Sequence, residues 1–290
     1  MIYLLLSILL TSSLILFFKV FEKYKIDTFQ ALVFNYLTAA SIGFLTGDTT
    51  SGTEHFPEWL PIGILLGGLF ISIFYTVSLT VVRISISAAT VANKMSLVIP
   101  VSVAFYLYKD PITVQKTAGI MLALAAVYMT SRRENTSLSP LSGKQLILLP
   151  VIVFIGSGII DVIVNYTQVN HLHGKNNELF LAVAFGAAFI AGVSILFVRL
   201  ILKKTRIEFK NIVAGICLGI PNFFSIFTLI KALDSKLFES SILYPVNNMG
   251  VVAVSAVTAY LFFKEKLSTL NIAGIICALI SIILISININ

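Results

Sequence analysis

Long apolar stretches alternate with short polar connections along the whole chain of 290 residues. A helix that crosses a bilayer needs about 20 mostly apolar residues. The pattern predicts an all-α membrane protein with ten transmembrane helices, at residues 2–20, 29–46, 59–82, 85–108, 113–130, 146–168, 177–202, 211–232, 237–263 and 268–288. The polar, serine-rich stretch 132–145 indicates a linker between a first half, 1–131, and a second half, 146–290.

Two internal similarities support this division into halves. Residues 85–131 match 240–286 after a shift of 155 residues, and Asn93 then coincides with Asn248 and Gly119 with Gly274. A GxxxG pair that permits close helix approach also recurs, as Gly63 and Gly67 and again as Gly215 and Gly219. Because five helices is an odd number, the second half must enter the membrane from the opposite side. The sequence therefore predicts two inverted five-helix repeats, an arrangement typical of secondary transporters.

The composition excludes an ordinary soluble protein. Hydrophobic residues make up 58% of the chain and charged residues 11%, whereas a globular domain has about 25% charged residues. The net charge of +7 is expected from basic residues in cytoplasmic loops, and no basic run suggests nucleic-acid binding. Cys217 and Cys277 lie in apolar runs and indicate packing residues. The first apolar stretch lacks a basic leader region, so we expect a retained helix instead of a signal peptide.

Two similar turns carry a family resemblance. The segments YKDPITVQKTAGI, from Tyr108, and FKEKLSTLNIAGI, from Phe263, close the last helix pair of each half. With the two five-helix halves, they make nearly the whole chain resemble the drug/metabolite transporter superfamily, in its EamA-like branch. The chain departs from the family pattern where Lys109 and Lys264 replace the usual glycine before the turn acid. The resemblance implies transport of small metabolites, often outward, through a central cavity lined by helices 1, 3, 4, 6, 8 and 9.

The orientation in the membrane stays open between two indications. The connections after odd-numbered helices hold 14 of the 20 lysines and arginines, which by the positive-inside rule predicts both termini outside. The family resemblance implies cytoplasmic termini. The compact form with minimal termini suggests a bacterial inner-membrane protein.

Lys94 and Asp161 are the charged residues predicted near the middle of the membrane. Lys94 lies in ATVANKMSLVIP of the fourth predicted helix, where an unpaired charge costs about 2.5–3.5 kcal/mol on insertion scales. Asp161 lies in GSGIIDVIVNY of the sixth. One interpretation is a substrate-binding cation with a protonatable partner that couples transport to a proton; the other is a structural ion pair.

Further polar residues at similar depth complete the candidate substrate site. Prolines near several of them free backbone carbonyls, and kinked helices at the midplane are frequent substrate sites. Each amide or hydroxyl could instead bond between helices. The further candidates are Asn93, Asn248, Asn247, Tyr244, Asn165, Asn35, Tyr75 and Asn222.

The leading hypothesis is a secondary transporter of a small polar metabolite, such as an amino acid, an organic acid or another anion. A multidrug or cation efflux transporter of the same fold is the alternative, and an intramembrane enzyme or a channel is a weaker one. The sequence has no Walker A motif and no nucleophile motif, and His171 and His173 have no third ligand nearby. We therefore expect no catalysis, cofactor or metal. The sequence does not indicate the oligomeric state.

Overall fold

The computed structural model describes residues 1–47, 57–108, 114–131, 143–172, 177–202, 206–234, 240–265 and 267–286. The regular structure of these residues is entirely helical. The helices are α1 (Ile2–Lys23), α2 (Thr28–Thr46), α3 (Leu60–Arg83), α4 (Ile86–Met95), α5 (Val98–Tyr108), α6 (Val114–Ser131), α7 (Gly143–Thr167), α8 (Asn177–Ile201), α9 (Phe209–Asp234), α10 (Ser240–Phe263) and α11 (Thr269–Ser286), with a π-helical turn, Gln168–Leu172, after α7.

The helices have the length and apolar composition of membrane spans. In the described part of the chain, eight spans are long enough to cross a bilayer, with α4 and the first half of α5 counted as one and α7 as continuous with the π turn. Two shorter apolar helices, Val114–Thr130 and Thr269–Ile285, correspond to the fifth and tenth predictions. Many large apolar side chains face outward, such as Leu45 and Phe262. The chain is thus a multi-pass helical membrane protein.

An aromatic cluster connects four helices in the interior. The Phe18 ring of α1 meets Phe74 of α3 edge-on, with centroids 5.0 Å apart. Tyr36 of α2 lies between Phe74 and Phe185 of α8, at 6.3 and 5.9 Å. Such aromatic pairs are each worth about 0.5–1.5 kcal/mol beyond the area they bury. The core therefore joins helices of the first half directly to a helix of the second half.

The repeated glycines are points of close helix approach, as predicted. A Cβ added to Gly67 of α3 would lie 2.6 Å from the backbone nitrogen of Ala188 in α8. One added to Gly219 of α9 would lie 2.7 Å from the carbonyl oxygen of Asn35 in α2. Gly63 and Gly215 lie one turn earlier at the same two interfaces. The GxxxG pairs thus allow α3 to pack on α8 and α9 to pack on α2.

A reciprocal contact joins α6 and α11. A Cβ on Gly119 would lie 2.7 Å from Ile285 Cγ1, and one on Gly274 would lie 2.8 Å from Thr130 Cγ2. Thr130 and Ile285 are separated by the same 155 residues as the two glycines. The start of each helix lies beside the end of the other, so the two helices are antiparallel.

The predicted fourth span, 85–108, corresponds to one membrane span, Ile86–Val103, which is made of two helices. α4 and α5 are separated by a break at residues 96 and 97. Pro100 explains the break, because proline has no N–H for the carbonyl of Ser96 and its ring clashes with that carbonyl in a continuous helix. The corresponding residue in α10 is Ser255, and α10 is continuous.

Candidate functional site

The break between α4 and α5 lies against one face of α7. Ser157 and Asp161 are four residues apart in α7, so they share this face. Glycines on both sides of Ser157 allow the neighbouring helices to approach closely. A Cβ added to Gly156 would lie 2.7 Å from Ile73 Cγ1 of α3, and one on Gly158 would lie 2.7 Å from Ile99 Cβ of α5. The GSG sequence therefore brings Ser157 and Asp161 up to the break.

Two hydrogen bonds connect the break to this face of α7. The Asn93 side chain donates from Nδ2 to Ser157 Oγ at 2.9 Å. Ser96 Oγ lies 3.1 Å from Asp161 Oδ2 and 2.5 Å from the carbonyl oxygen of Asn93. Ser96 and Ser157 were missed by the sequence analysis. Their signal was the spacing of three and four residues from the predicted Asn93 and Asp161.

Lys94 and Asp161 are brought together without forming a close ion pair. Both lie deep inside the helix bundle, and their charges interact. Their charged atoms do not come within the 4.0 Å of a salt bridge, although both residues are in the described part of the chain. The cation and the carboxylate are thus near neighbours without a direct ion pair.

The Asp161 side chain is accessible on the face of α7 that meets the break. The exposed apolar residues of α7, among them Ile152, Ile155 and Ile159, lie on the opposite face of the helix by the 3.6-residue period. Asp161 is therefore turned away from the outward apolar face of α7. Lys94 is half-buried at the same place.

Asn35 and Asn222 are used in a bond between helices. Asn222 Nδ2 donates to Asn35 Oδ1 at 3.1 Å, joining α9 to α2, and both residues are buried. The Asn35 amide nitrogen has no hydrogen-bond partner in the described residues. No hydrogen bond among the described residues joins these two candidates to the Lys94 cluster, defined as Asn93, Lys94, Ser96, Ser157 and Asp161.

The remaining candidates lie on several helices. In α10, Asn247 is buried, with no partner for its Oδ1 among the described residues, and Asn248 is half-buried. Tyr75 of α3 packs edge-on against Phe29, with ring centroids 5.6 Å apart. Asn165 is exposed one turn after Asp161 in α7. The side chain of Tyr244 lies outside the described residues.

The described residues contain no group of three potential metal-ligating side chains. His171, in the π turn, lies 3.3 Å from Glu58 and packs edge-on against Tyr166. His173 lies outside the described residues.

Comparison with known proteins gives a family and a fold. The chain is 30% identical over 283 residues to an uncharacterised protein of Haemophilus influenzae, covering 95% of this chain and 94% of that protein. The crystal structure of another protein superposes on this chain with a TM-score of 0.60 at 12% sequence identity. The superposition covers 97% of this chain and 98% of the other. No family model matches the chain, so the resemblance to the drug/metabolite transporters stays a prediction.

Proposed function

The chain belongs to one family with the uncharacterised Haemophilus influenzae protein, and from this premise we propose that it is a secondary transporter of a small polar metabolite that carries an anionic group. Substrates of this class include organic acids and amino acids. Transport is outward or by exchange, across a bacterial inner membrane. In this proposal the chain belongs to the EamA-like branch of the drug/metabolite transporters.

The pattern of helix contacts supports two inverted repeats. In α6 and α11, Gly119 meets Ile285 and Gly274 meets Thr130. Gly274 is the equivalent of Gly119 in the other half, and Ile285 is the equivalent of Thr130. The same reciprocity relates Gly43, which meets Ala182, to Gly192, which meets Val33, with a common shift of 149 residues. In each helix pair the two contacts exchange residues that are equivalent in the two halves, and the helices are antiparallel. A twofold axis in the membrane plane produces this pattern. Secondary transporters with this symmetry bind substrate between the repeats and alternate access around that site.

The observation that carries the proposal is the position of Lys94. Lys94 is half-buried in the last turn of α4, beside the break and near Asp161. Intramembrane charges of this kind mark substrate or ion pathways. The described residues place no carboxylate within 4.0 Å of it, so an anionic substrate group could make the direct contact.

One observation favours a second candidate, a multidrug or cation efflux transporter. Asp161 is accessible beside the same break, and its carboxylate is not within 4.0 Å of the Lys94 ammonium group. A carboxylate in this position could bind an organic cation. The two candidates thus differ in which of the two charges contacts the substrate.

Counterflow uptake into proteoliposomes separates these candidates. Liposomes preloaded with an unlabelled compound are tested with the same compound radiolabelled, using organic acids, amino acids, sugar phosphates and organic cations in turn. The proposal expects saturable counterflow of an anionic or zwitterionic class that is retained in Asp161→Asn. Counterflow of organic cations alone, abolished in Asp161→Asn, would instead support the second candidate. Uptake that neither saturates nor shows counterflow would indicate a channel and contradict both.

A further inference from the structure

The hydroxyl group of Ser96 lies between two hydrogen-bond acceptors. Its Oγ is 2.5 Å from the Asn93 carbonyl oxygen and 3.1 Å from Asp161 Oδ2. The Asn93 carbonyl belongs to the last turn of α4, where carbonyls lack partners within the helix. Ser96 is itself buried, so water does not substitute freely for either contact.

A serine hydroxyl has one hydrogen to donate and can accept through its oxygen, so only one of these two acceptors receives the hydrogen at a time. An ionised Asp161 can receive it. In the other arrangement the nearer acceptor, the Asn93 carbonyl, takes that hydrogen. The contact with Asp161 is then a hydrogen bond only if the carboxyl group is protonated and donates to Ser96 Oγ.

We propose that Asp161 and Ser96 form a proton-binding site, in which the protonated carboxyl group donates to the Ser96 hydroxyl and this hydroxyl donates to the Asn93 carbonyl. Ser96 is a positioning residue that stabilises the protonated form. Proton uptake also removes the negative charge beside Lys94, which leaves the ammonium free to bind an anionic group. A proton and an anion thus bind together, and both leave together.

The inference rests on the proposed transport function, because a bound proton is useful here only if its uptake is coupled to a substrate. Lys94 is the charged side chain that acts on Asp161. The described side chains of the elements packed on α7 add other titratable groups at greater distance along the helices. These are Tyr75 and Arg83 of α3, Lys116 and Tyr128 of α6 and His171 of the π turn.

Infrared spectroscopy of the purified protein in liposomes tests the proton site without any substrate. The carbonyl stretch of a protonated carboxyl group is followed across a pH titration. We expect wild type to show a titrating band that is absent in Asp161→Asn. In Ser96→Ala the midpoint should fall by about half to one pH unit, because the protonated form loses an acceptor worth about 1 kcal/mol. Ser96→Thr, which keeps the hydroxyl, should keep the midpoint.

Ser102→Ala is the matched control, since among the described residues the Ser102 hydroxyl bonds only to the Val98 carbonyl of its own helix. The midpoint of this variant should equal that of wild type. Ser96→Gly also removes the hydroxyl and serves if Ser96→Ala does not fold. A midpoint that rises in these variants would mean that Ser96 donates to an ionised Asp161, and the proposal would be wrong. The absence of a titrating band in wild type would also overturn it. If the midpoint falls but no anion shows counterflow, the proton site stands and the proposed substrate class fails.

Discussion

Lys264, in the connection between α10 and α11, has a left-handed backbone conformation with φ of 50°. Its side chain is exposed. At this position the family resemblance implies a glycine. The structure gives the physical reason, because glycine adopts positive φ readily and other residues are strained there. The equivalent Lys109 lies outside the described residues.

Substitutions at position 264 should therefore follow backbone strain and not side-chain size. Lys264→Gly relieves about 1 kcal/mol of backbone strain, but glycine loses a similar amount of conformational entropy on folding. The two effects nearly cancel, so the unfolding temperature should be unchanged or slightly raised. Lys264→Val should lower stability by about 1–3 kcal/mol, because a branched side chain is strongly disfavoured at positive φ. Thermal unfolding of the purified protein in detergent measures both. A Lys264→Val protein as stable as wild type would contradict the assigned conformation.

At single residues, the sequence predicted candidate side chains but not which of them pair in space. The positions of Lys94 and Asp161 in apolar segments were sufficient to single them out as candidate site residues, because buried charge is rare in membranes. Their relation was not predictable, since it depends on how α4 and α5 meet α7 in space. Asn35 and Asn222 show the same limit: the sequence gives two polar residues at membrane depth, and only the packing of α2 on α9 pairs them.

At the level of helices, periodic glycines proved the most informative pattern. The predicted close approach at the two GxxxG pairs is confirmed, because every one of the four glycines faces another helix at short range. The fourth span is interrupted at residues 96 and 97, near Pro100, one of the prolines at which the sequence suggested a kink. Proline is tolerated inside α7, at Pro150, and inside α9, at Pro221, so the residue alone does not determine whether a membrane helix breaks.

Two adjacent glycines of α3 should respond in opposite ways to alanine. A Cβ on Gly67 would lie 2.6 Å from the Ala188 backbone, whereas one on Gly68 would meet nothing within 4 Å. Gly67→Ala should therefore force α3 from α8 and lower stability by about 1–3 kcal/mol. Gly68→Ala should be neutral or stabilising by up to about 1 kcal/mol, from helix propensity. Denaturation of the two variants under identical conditions tests this, and equal stabilities would contradict the α3–α8 packing.

Over the whole molecule, described connections contact the starts of other helices. The backbone N–H of Asp27, between α1 and α2, donates to Asn211 Oδ1 at the start of α9 at 3.1 Å. Glu265, between α10 and α11, accepts from the Ile86 N–H at the start of α4 at 3.2 Å. At the other end, the Trp59 ring packs edge-on against Phe180. The sequence predicted, from the count of apolar stretches alone, that successive connections lie at alternate ends of the bundle. These contacts agree with that prediction.

The Lys- and Arg-rich end should face the cytoplasm if loop charge sets the orientation. Single cysteines at Lys25 and at Glu58, in a background without Cys217 and Cys277, report the two ends of the bundle. In intact cells, a membrane-impermeant thiol reagent should label Glu58→Cys and leave Lys25→Cys unlabelled. The opposite labelling would establish the orientation that the family resemblance implies and would refute the charge-based prediction.

The central claim is that Lys94 binds the anionic group of the substrate. Its direct test is counterflow of the anionic class found active, compared among wild type, Lys94→Gln, Lys94→Arg and Lys210→Gln. Lys210 is a suitable control, because it is an exposed lysine 2.8 Å from Glu208 at the start of α9. Thermal unfolding of each variant first establishes that it is folded, and Lys94→Met is a second neutral variant.

We expect Lys94→Gln to reduce counterflow by about ten- to a hundredfold, which corresponds to losing a charge-assisted hydrogen bond of about 1.5–3 kcal/mol. Lys94→Arg should retain part of the activity, and Lys210→Gln should transport like wild type. Folded Lys94→Gln and Lys94→Met proteins that transport the anion at the wild-type rate would show that Lys94 is structural, and the central claim would be wrong.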